Sequence, residues 1–94
     1  MSDFRLRIIS RTRIEYDADV ESLVAPGEDG YLGVLADHMA LLTTLAPGII
    51  SLREPGEREL RPRYTVTEGF LEVHRNHVTI LVPSLQEVAP AVSH

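Results

Sequence analysis

The chain has 94 residues, a formal net charge of −5, 44% hydrophobic and 5% aromatic residues, and no cysteine. That length closes one core but not two, and the composition is that of a globular domain with an aliphatic core, which excludes a disordered chain and a second domain within these residues. Without cysteine there is neither a disulfide framework nor a thiolate metal site, and an acidic chain whose nine basic residues are all arginine, none of them between Ile14 and Leu52, repels phosphate backbones and is not expected to bind nucleic acid.

The opening Met1-Ser2-Asp3-Phe4-Arg5 lacks the basic stretch and apolar run of a signal peptide. No segment approaches the roughly 18 apolar residues of a membrane span, so a cytosolic chain is expected. Phe4, Leu6 and Ile8 alternate with Arg5 and Arg7, the period of two of a strand with one buried face. Arg13 to Asp17 alternates likewise after Ser10-Arg11-Thr12, so the two runs are expected to pair as a hairpin, and Val20 to Ala25 continues as a further strand. Pro26-Gly27-Glu28-Asp29-Gly30 reads as an exposed turn, and Tyr31 to Leu35 as a strand whose Gly33 marks a bulge or close backbone approach. Ala36 to Ala46, with Met39, Leu41, Leu42 and Leu45 at spacings that also suit a helix, is expected to be a loop with one turn.

Pro47-Gly48 punctuates the chain before a strand from Ile49 to Arg53. Glu54-Pro55-Gly56-Glu57 turns it, and Arg61 to Thr67 returns. Phe70 to His74 and His77 to Val82 flank Arg75-Asn76, a two-residue hairpin turn in which Asn tolerates positive φ; Leu71, Val73, Val78, Ile80 and Val82 are expected to face inward. Eight to ten short strands at this spacing predict an all-β sandwich or barrel over residues 1–83. Residues 84–94 read as a short frayed tail, in which Ser84 caps at most one turn and Pro90 blocks propagation.

Candidate chemistry is sparse. Asp37-His38 pairs a carboxylate with an imidazole, but adjacent residues rarely point the same way and the nucleophile of a triad is missing, so His38 is read as anchoring its loop or touching a partner. His74 and His77 flank a turn and can face each other, yet two imidazoles fall short of zinc's four ligands even if Glu72 adds one. Glu28 and Asp29 sit on a turn tip rather than in a cleft, and a chain without lysine has no phosphate-binding Walker lysine. No catalytic residue, metal or cofactor is therefore expected. The seven acids Glu15, Asp17, Asp19, Glu21, Glu28, Asp29 and Asp37 leave two readings open, a docking patch for a basic surface or solvated strand and turn residues.

The run Val24-Ala25-Pro26-Gly27-Glu28-Asp29-Gly30-Tyr31-Leu32-Gly33-Val34-Leu35, followed by His38, Leu41-Leu42-Thr43 and Pro47-Gly48, resembles the signature of the epsilon subunit of rotary F-type ATP synthases. Gly69-Phe70-Leu71-Glu72-Val73 and Asn76-x-Val78-Thr79-Ile80-Leu81 resemble two later segments of that family, so the resemblance spans about residues 4 to 82. It implies a flattened β-sandwich of about ten short, mostly antiparallel strands. It also implies a non-catalytic rotor subunit at the foot of the central stalk, peripheral to the cytoplasmic face of an energy-transducing membrane and touching it only through the c-ring. There it would lock gamma to the ring of a proton- or sodium-translocating enzyme. By the same resemblance, Gly27, Glu28, Asp29, Gly30, Tyr31 and His38 meet the c-ring, whereas Ser10, His38, Met39, Leu42 and Thr43 face gamma. The alternative reading is a free-standing β-sandwich that binds a peptide or carbohydrate.

The family's Pro-Gly-His becomes Ala36-Asp37-His38 here, and the acid that often follows the turn glycine becomes Tyr31. Relatives commonly continue into a C-terminal helical hairpin with an ATP-binding motif, and this sequence ends before it. The expectation is accordingly no ATP binding and no inhibitory arm, with Pro90 and the uncharged Ala89-Pro90-Ala91-Val92 leaning toward a natural stop.

Overall fold

Side-chain alternation builds the strands in pairs. The computed structural model describes residues 2–89. Among these, β1 (Phe4–Ile9) buries Phe4, Leu6 and Ile8 and pairs antiparallel with β2 (Ile14–Val20). A bend at Glu21 leads into β3 (Ser22–Gly27), which turns back through Glu28-Asp29 into β4 (Gly30–Val34). β5 (Leu41–Leu45) and β6 (Gly48–Arg53) follow, then β7 (Arg61–Val66), β8 (Gly69–His74), β9 (His77–Leu81) and the two-residue β10 (Gln86–Glu87).

The strand order is β10-β7-β6-β3-β5-β8-β9-β1-β2, with β4 on the other edge of β3. Every pairing is antiparallel except β1 with β9, where Leu6 lies beside Val78 and Ile8 beside Ile80. β3 belongs to both halves of this path. Its Ser22–Val24 stretch pairs with Arg53–Ser51 of β6, and its last residue, Gly27, pairs with Leu45 of β5. The sheet curls so that both halves cover one core, in which Leu6, Ile8, Leu23, Ile50, Leu52, Leu71 and Ile80 are fully buried. Burial of each such side chain stabilises the fold by about 1.5–3 kcal/mol before chain entropy is counted.

Where the curl closes, side chains take over from the backbone ladder. Tyr16 of β2 donates its hydroxyl to Glu54 at the end of β6, and Tyr64 of β7 donates to the Glu15 carbonyl of β2 at 3.4 Å. The Arg63 guanidinium lies 5.3 Å from the Tyr16 ring centroid and 5.8 Å from that of Tyr64, and 3.7 Å from the Glu54 carboxylate. Burial, reinforced by Glu54, pushes the Tyr16 phenol far above its usual range; burial raises Tyr64 as well.

All-β class, about ten strands, the two hairpins and the inward set of Leu71, Val73, Val78, Ile80 and Val82 are as expected. Five local readings change. Ala36–Ala46 is not a plain loop, because Leu41–Leu45 forms β5 against β8. Val20–Ala25 is interrupted at Glu21, whose carboxylate is buried against Arg53. Pro26 lies within β3 opposite Tyr31 rather than in the turn. Gly33 pairs regularly with Val24, and a Cβ there would meet nothing nearer than 4.0 Å, so it marks neither bulge nor close approach. Ser84 caps no helical turn; the segment after it pairs through Gln86 and Glu87 with Thr65 and Tyr64 of β7, and Pro90 to His94 lie outside the described residues.

Candidate interaction surface

Five strands, β5-β8-β9-β1-β2, present one continuous outer face, and register fixes which residues share it. One row across it is polar: Leu42 opposite Glu72, Glu72 opposite Thr79, Thr79 beside Arg7, and Arg7 opposite Asp17. The next row is apolar: Thr44 opposite Phe70, Phe70 opposite Leu81, Leu81 beside Ile9, and Ile9 opposite Ile14. Phe70 is 54%, Leu81 47% and Ile14 50% exposed, while Leu42 is 71% and Met39 82% exposed. A row of exposed large apolar side chains on a sheet face is the usual mark of a protein-binding surface. It borders an open groove of about 690 Å³ whose lining includes Ser10, Thr44, Phe70 and Leu81.

The residues expected to face gamma are only partly gathered here. Leu42 lies on this face. Ser10 lies at its rim just after β1, where its hydroxyl donates to Glu15 at 2.7 Å and its backbone N–H to the Arg13 carbonyl at 2.9 Å. Thr43 pairs with the fully buried Leu71, so strand alternation turns it to the inner side and puts Thr44 on the outer face instead. Sequence reasoning missed Phe70, Leu81 and Ile14. For Phe70 and Leu81 the signal was present, since Phe70 is in phase with the polar Glu72 and His74, and Leu81 with His77 and Thr79; Ile14 is in phase with the buried Tyr16 and stands opposite Ile9 only through the register shift between Ile8 and Ile9.

The turn expected to meet the c-ring is built by two glycines. A Cβ on Gly27 would stand 2.6 Å from Leu32 and 2.8 Å from the Gly30 carbonyl, and Gly30 itself takes a φ of 125°, which a side chain resists. Glu28 and Asp29 are exposed at the tip. Tyr31 is exposed too, but its hydroxyl accepts the Ile49 N–H at 2.9 Å, tying the hairpin to the start of β6. The acids now separate into two groups. Asp17 and Asp19 meet Arg5, at 2.8 and 3.4 Å, Glu15 meets Arg13 at 3.2 Å, and Glu21 meets Arg53. Asp37 is held by Asn76. Of the seven, only Glu28 and Asp29 make neither a salt bridge nor a bond to Asn76 among the described residues, so within that set the carboxylates free for a partner are the two at this tip.

His38 does not join that tip. Glu28 donates its N–H to Thr44 near the end of β5, whereas Asp37 and His38 precede the start of β5 and lie by the β8–β9 turn. Two bonds fix the His38 loop: Asp37 N–H donates to Asn76 Oδ1 at 2.6 Å, and Asn76 Nδ2 donates to Asp37 Oδ1 at 3.0 Å. The His38 ring nitrogen Nδ1 is 2.7 Å from the Met39 carbonyl; a carbonyl only accepts, so Nδ1 holds the proton and Nε2 is the available atom. His74 and His77 do face each other across β8 and β9, but no group of three metal-ligating side chains exists among the described residues. No helix in them is long and apolar enough to cross a membrane.

The family described as "ATP synthase, Delta/Epsilon chain, beta-sandwich domain" matches residues 3–88. The chloroplastic ATP synthase epsilon chain of Emiliania huxleyi is 39% identical over 84 residues, covering 89% of this chain and 62% of that protein. The ATP synthase epsilon chain of Pelotomaculum thermopropionicum is 43% identical over 77 residues, covering 82% and 55%. The chain thus spans somewhat over half the length of these relatives. A chain in the Euglena gracilis mitochondrial ATP synthase structure (OSCP/F1/c-ring) superposes with a TM-score of 0.82 at 22% identity, over 93% of this chain and 54% of that one. A chain in the Tetrahymena thermophila mitochondrial ATP synthase central stalk/c-ring structure gives 0.73 at 22% identity, over 87% and 64%.

Proposed function

Because the chain belongs to the ATP synthase delta/epsilon-chain β-sandwich family, we propose that it is a non-catalytic central-stalk subunit that links gamma to the c-ring. Rotation driven by proton or sodium flow would thereby be coupled to ATP synthesis, at the cytoplasmic face of an energy-transducing membrane. The observation that carries this reading is the row of exposed Phe70, Leu81 and Ile14, joined by the half-buried Ile9, beside Leu42 on one sheet face. Such a row gives gamma an apolar surface to cover, with Ser10 at its rim and Met39 and His38 beyond the start of β5. The Gly27-Glu28-Asp29-Gly30 tip and Tyr31 supply the second contact, where two carboxylates without internal partners complement a basic loop of the ring. Coupling then needs no catalytic residue. A sugar-binding module is less well served, because the exposed aromatics are Tyr31 and Phe70, on different strands and without a shared stacking platform.

The test is co-elution with purified gamma. Leu42→Asp places a charge in the covered surface and should abolish co-elution while leaving the thermal midpoint unchanged, since Leu42 is 71% exposed. Unchanged co-elution rejects this face. Glu28→Arg with Asp29→Arg should weaken attachment to the c-ring and release hydrolysis from ion pumping, and full coupling in that variant rejects the acidic contact.

A further inference from the structure

Among the described residues, Asp37 is one of three non-glycine residues with positive φ, at 64°; the other two, Arg75 at 51° and Asn76 at 62°, form the β8–β9 turn. An L side chain takes this conformation at a cost, least for Asn and Asp, and it persists only where surrounding contacts impose it. Here the contacts come from one residue. The Asn76 side chain both accepts the Asp37 N–H and donates to the Asp37 carboxylate. The Asn76 carbonyl in turn accepts the Arg5 N–H at 2.9 Å, so the clamp is rooted in β1, a strand of the outer face flanked by β9 and β2. Between β4 and β5 the one backbone–backbone bond among the described residues is the turn of His38 N–H to the Leu35 carbonyl at 3.2 Å.

We propose that Asn76 is a positioning residue: by locking Asp37 in the left-handed conformation it presets the His38 to Leu42 segment in the arrangement that docks on gamma. The inference rests on the docking reading above. A preset loop does not lose ordering entropy on binding, and when only a fraction of molecules holds the competent loop, the apparent Kd rises by the inverse of that fraction. Asp37 and Asn76 are both exposed, so water competes for the clamp and the two bonds together hold the loop where one would not.

Asn76→Gly removes the clamp while keeping a residue suited to positive φ in the turn. Titration of gamma against this variant should show Kd raised about five- to tenfold, with the thermal midpoint within a few degrees of the parent. Amide exchange at Asp37 and His38 in the free protein should accelerate about tenfold, while β8 and β9 amides stay protected. Asp37→Asn, which keeps an acceptor and favours the same φ, should bind within about twofold of the parent. Adding Asp37→Gly to Asn76→Gly should not restore slow exchange, because glycine reaches the conformation without being held there. Leu42→Asp serves as the control. If it abolishes binding while Asn76→Gly binds and exchanges like the parent, the clamp has no positioning role and the docking reading stands. If Leu42→Asp binds like the parent, the docking reading falls, and this inference with it.

Discussion

Thr44 shows how a single side chain can reveal an unfinished surface. Its hydroxyl is buried and has no hydrogen-bond partner among the described residues, in the wall of the groove beside Phe70. A buried unsatisfied hydroxyl costs about 1–3 kcal/mol. Thr44→Val, of the same shape without the hydroxyl, is therefore expected to hold or raise the thermal midpoint of the isolated chain by a few degrees, and a clear drop would show that the hydroxyl has a partner in solution. Tyr31 makes the opposite case. It stands where the resembling family often has an acid, and its hydroxyl accepts the Ile49 N–H, so Tyr31→Phe should cost about 0.5–1.5 kcal/mol by chemical denaturation. No measurable loss would make that bond dispensable. Neither role was legible in the sequence, because one depends on a partner 18 positions away and the other on the lack of a partner among the described residues. By contrast, the positive φ of Asn76 was legible, since a two-residue turn between alternating strands demands it.

Elements were readable wherever one face met water and the other the core. β1, β2, β8 and β9 alternate and were expected, whereas Leu41-Leu42-Thr43-Thr44-Leu45 carries no period of two and lies in a helix-compatible pattern. It is a strand because β8 supplies its partners from Val73 to Gly69, a long-range pairing that local composition does not encode. β10 was missed for the same reason, its two residues being ordered only by β7. At the closure between β2 and β7, the raised phenol pKa values of Tyr16 and Tyr64 set a pH dependence. A group with its pKa raised in the folded state stabilises below its unfolded value, about 10 for tyrosine, and that stability is lost as pH rises further, because the unfolded chain ionises first. Denaturation midpoints measured from pH 8 to 11 should accordingly be flat up to about pH 10 and fall beyond it. A flat profile throughout would mean that the closure opens readily enough for both phenols to titrate as free tyrosine.

At the scale of the whole molecule, Leu42 on the outer face and Glu28-Asp29 on the β3–β4 tip are carried on different parts of the sheet path, and although Glu28 shares a groove wall with Thr44, Phe70 and Leu81, Leu42 does not line that groove. Leu42→Asp should therefore leave ring attachment intact, and the tip charge reversal should leave gamma affinity intact. Combined, their free-energy effects on assembly should add within about 0.5 kcal/mol, and a larger discrepancy in a double-mutant cycle would place both residues in one contact. Composition showed the excess of acid but not its allocation: four of the seven acids turn out to be committed to arginines, Glu15 to the nearby Arg13 but Asp17, Asp19 and Glu21 to arginines brought alongside by strand pairing, information that exists only once register is fixed. The route of β3 has a mechanical corollary. Force applied to the Glu28-Asp29 tip draws β3 and β4 along together and meets the bonds that hold β3 to β6 on one stretch and to β5 on the next. Those bonds lie across the direction of pull and are loaded in shear, all at once, instead of peeling one after another. A tug on the tip is thus distributed into both halves of the curled sheet before any single bond yields.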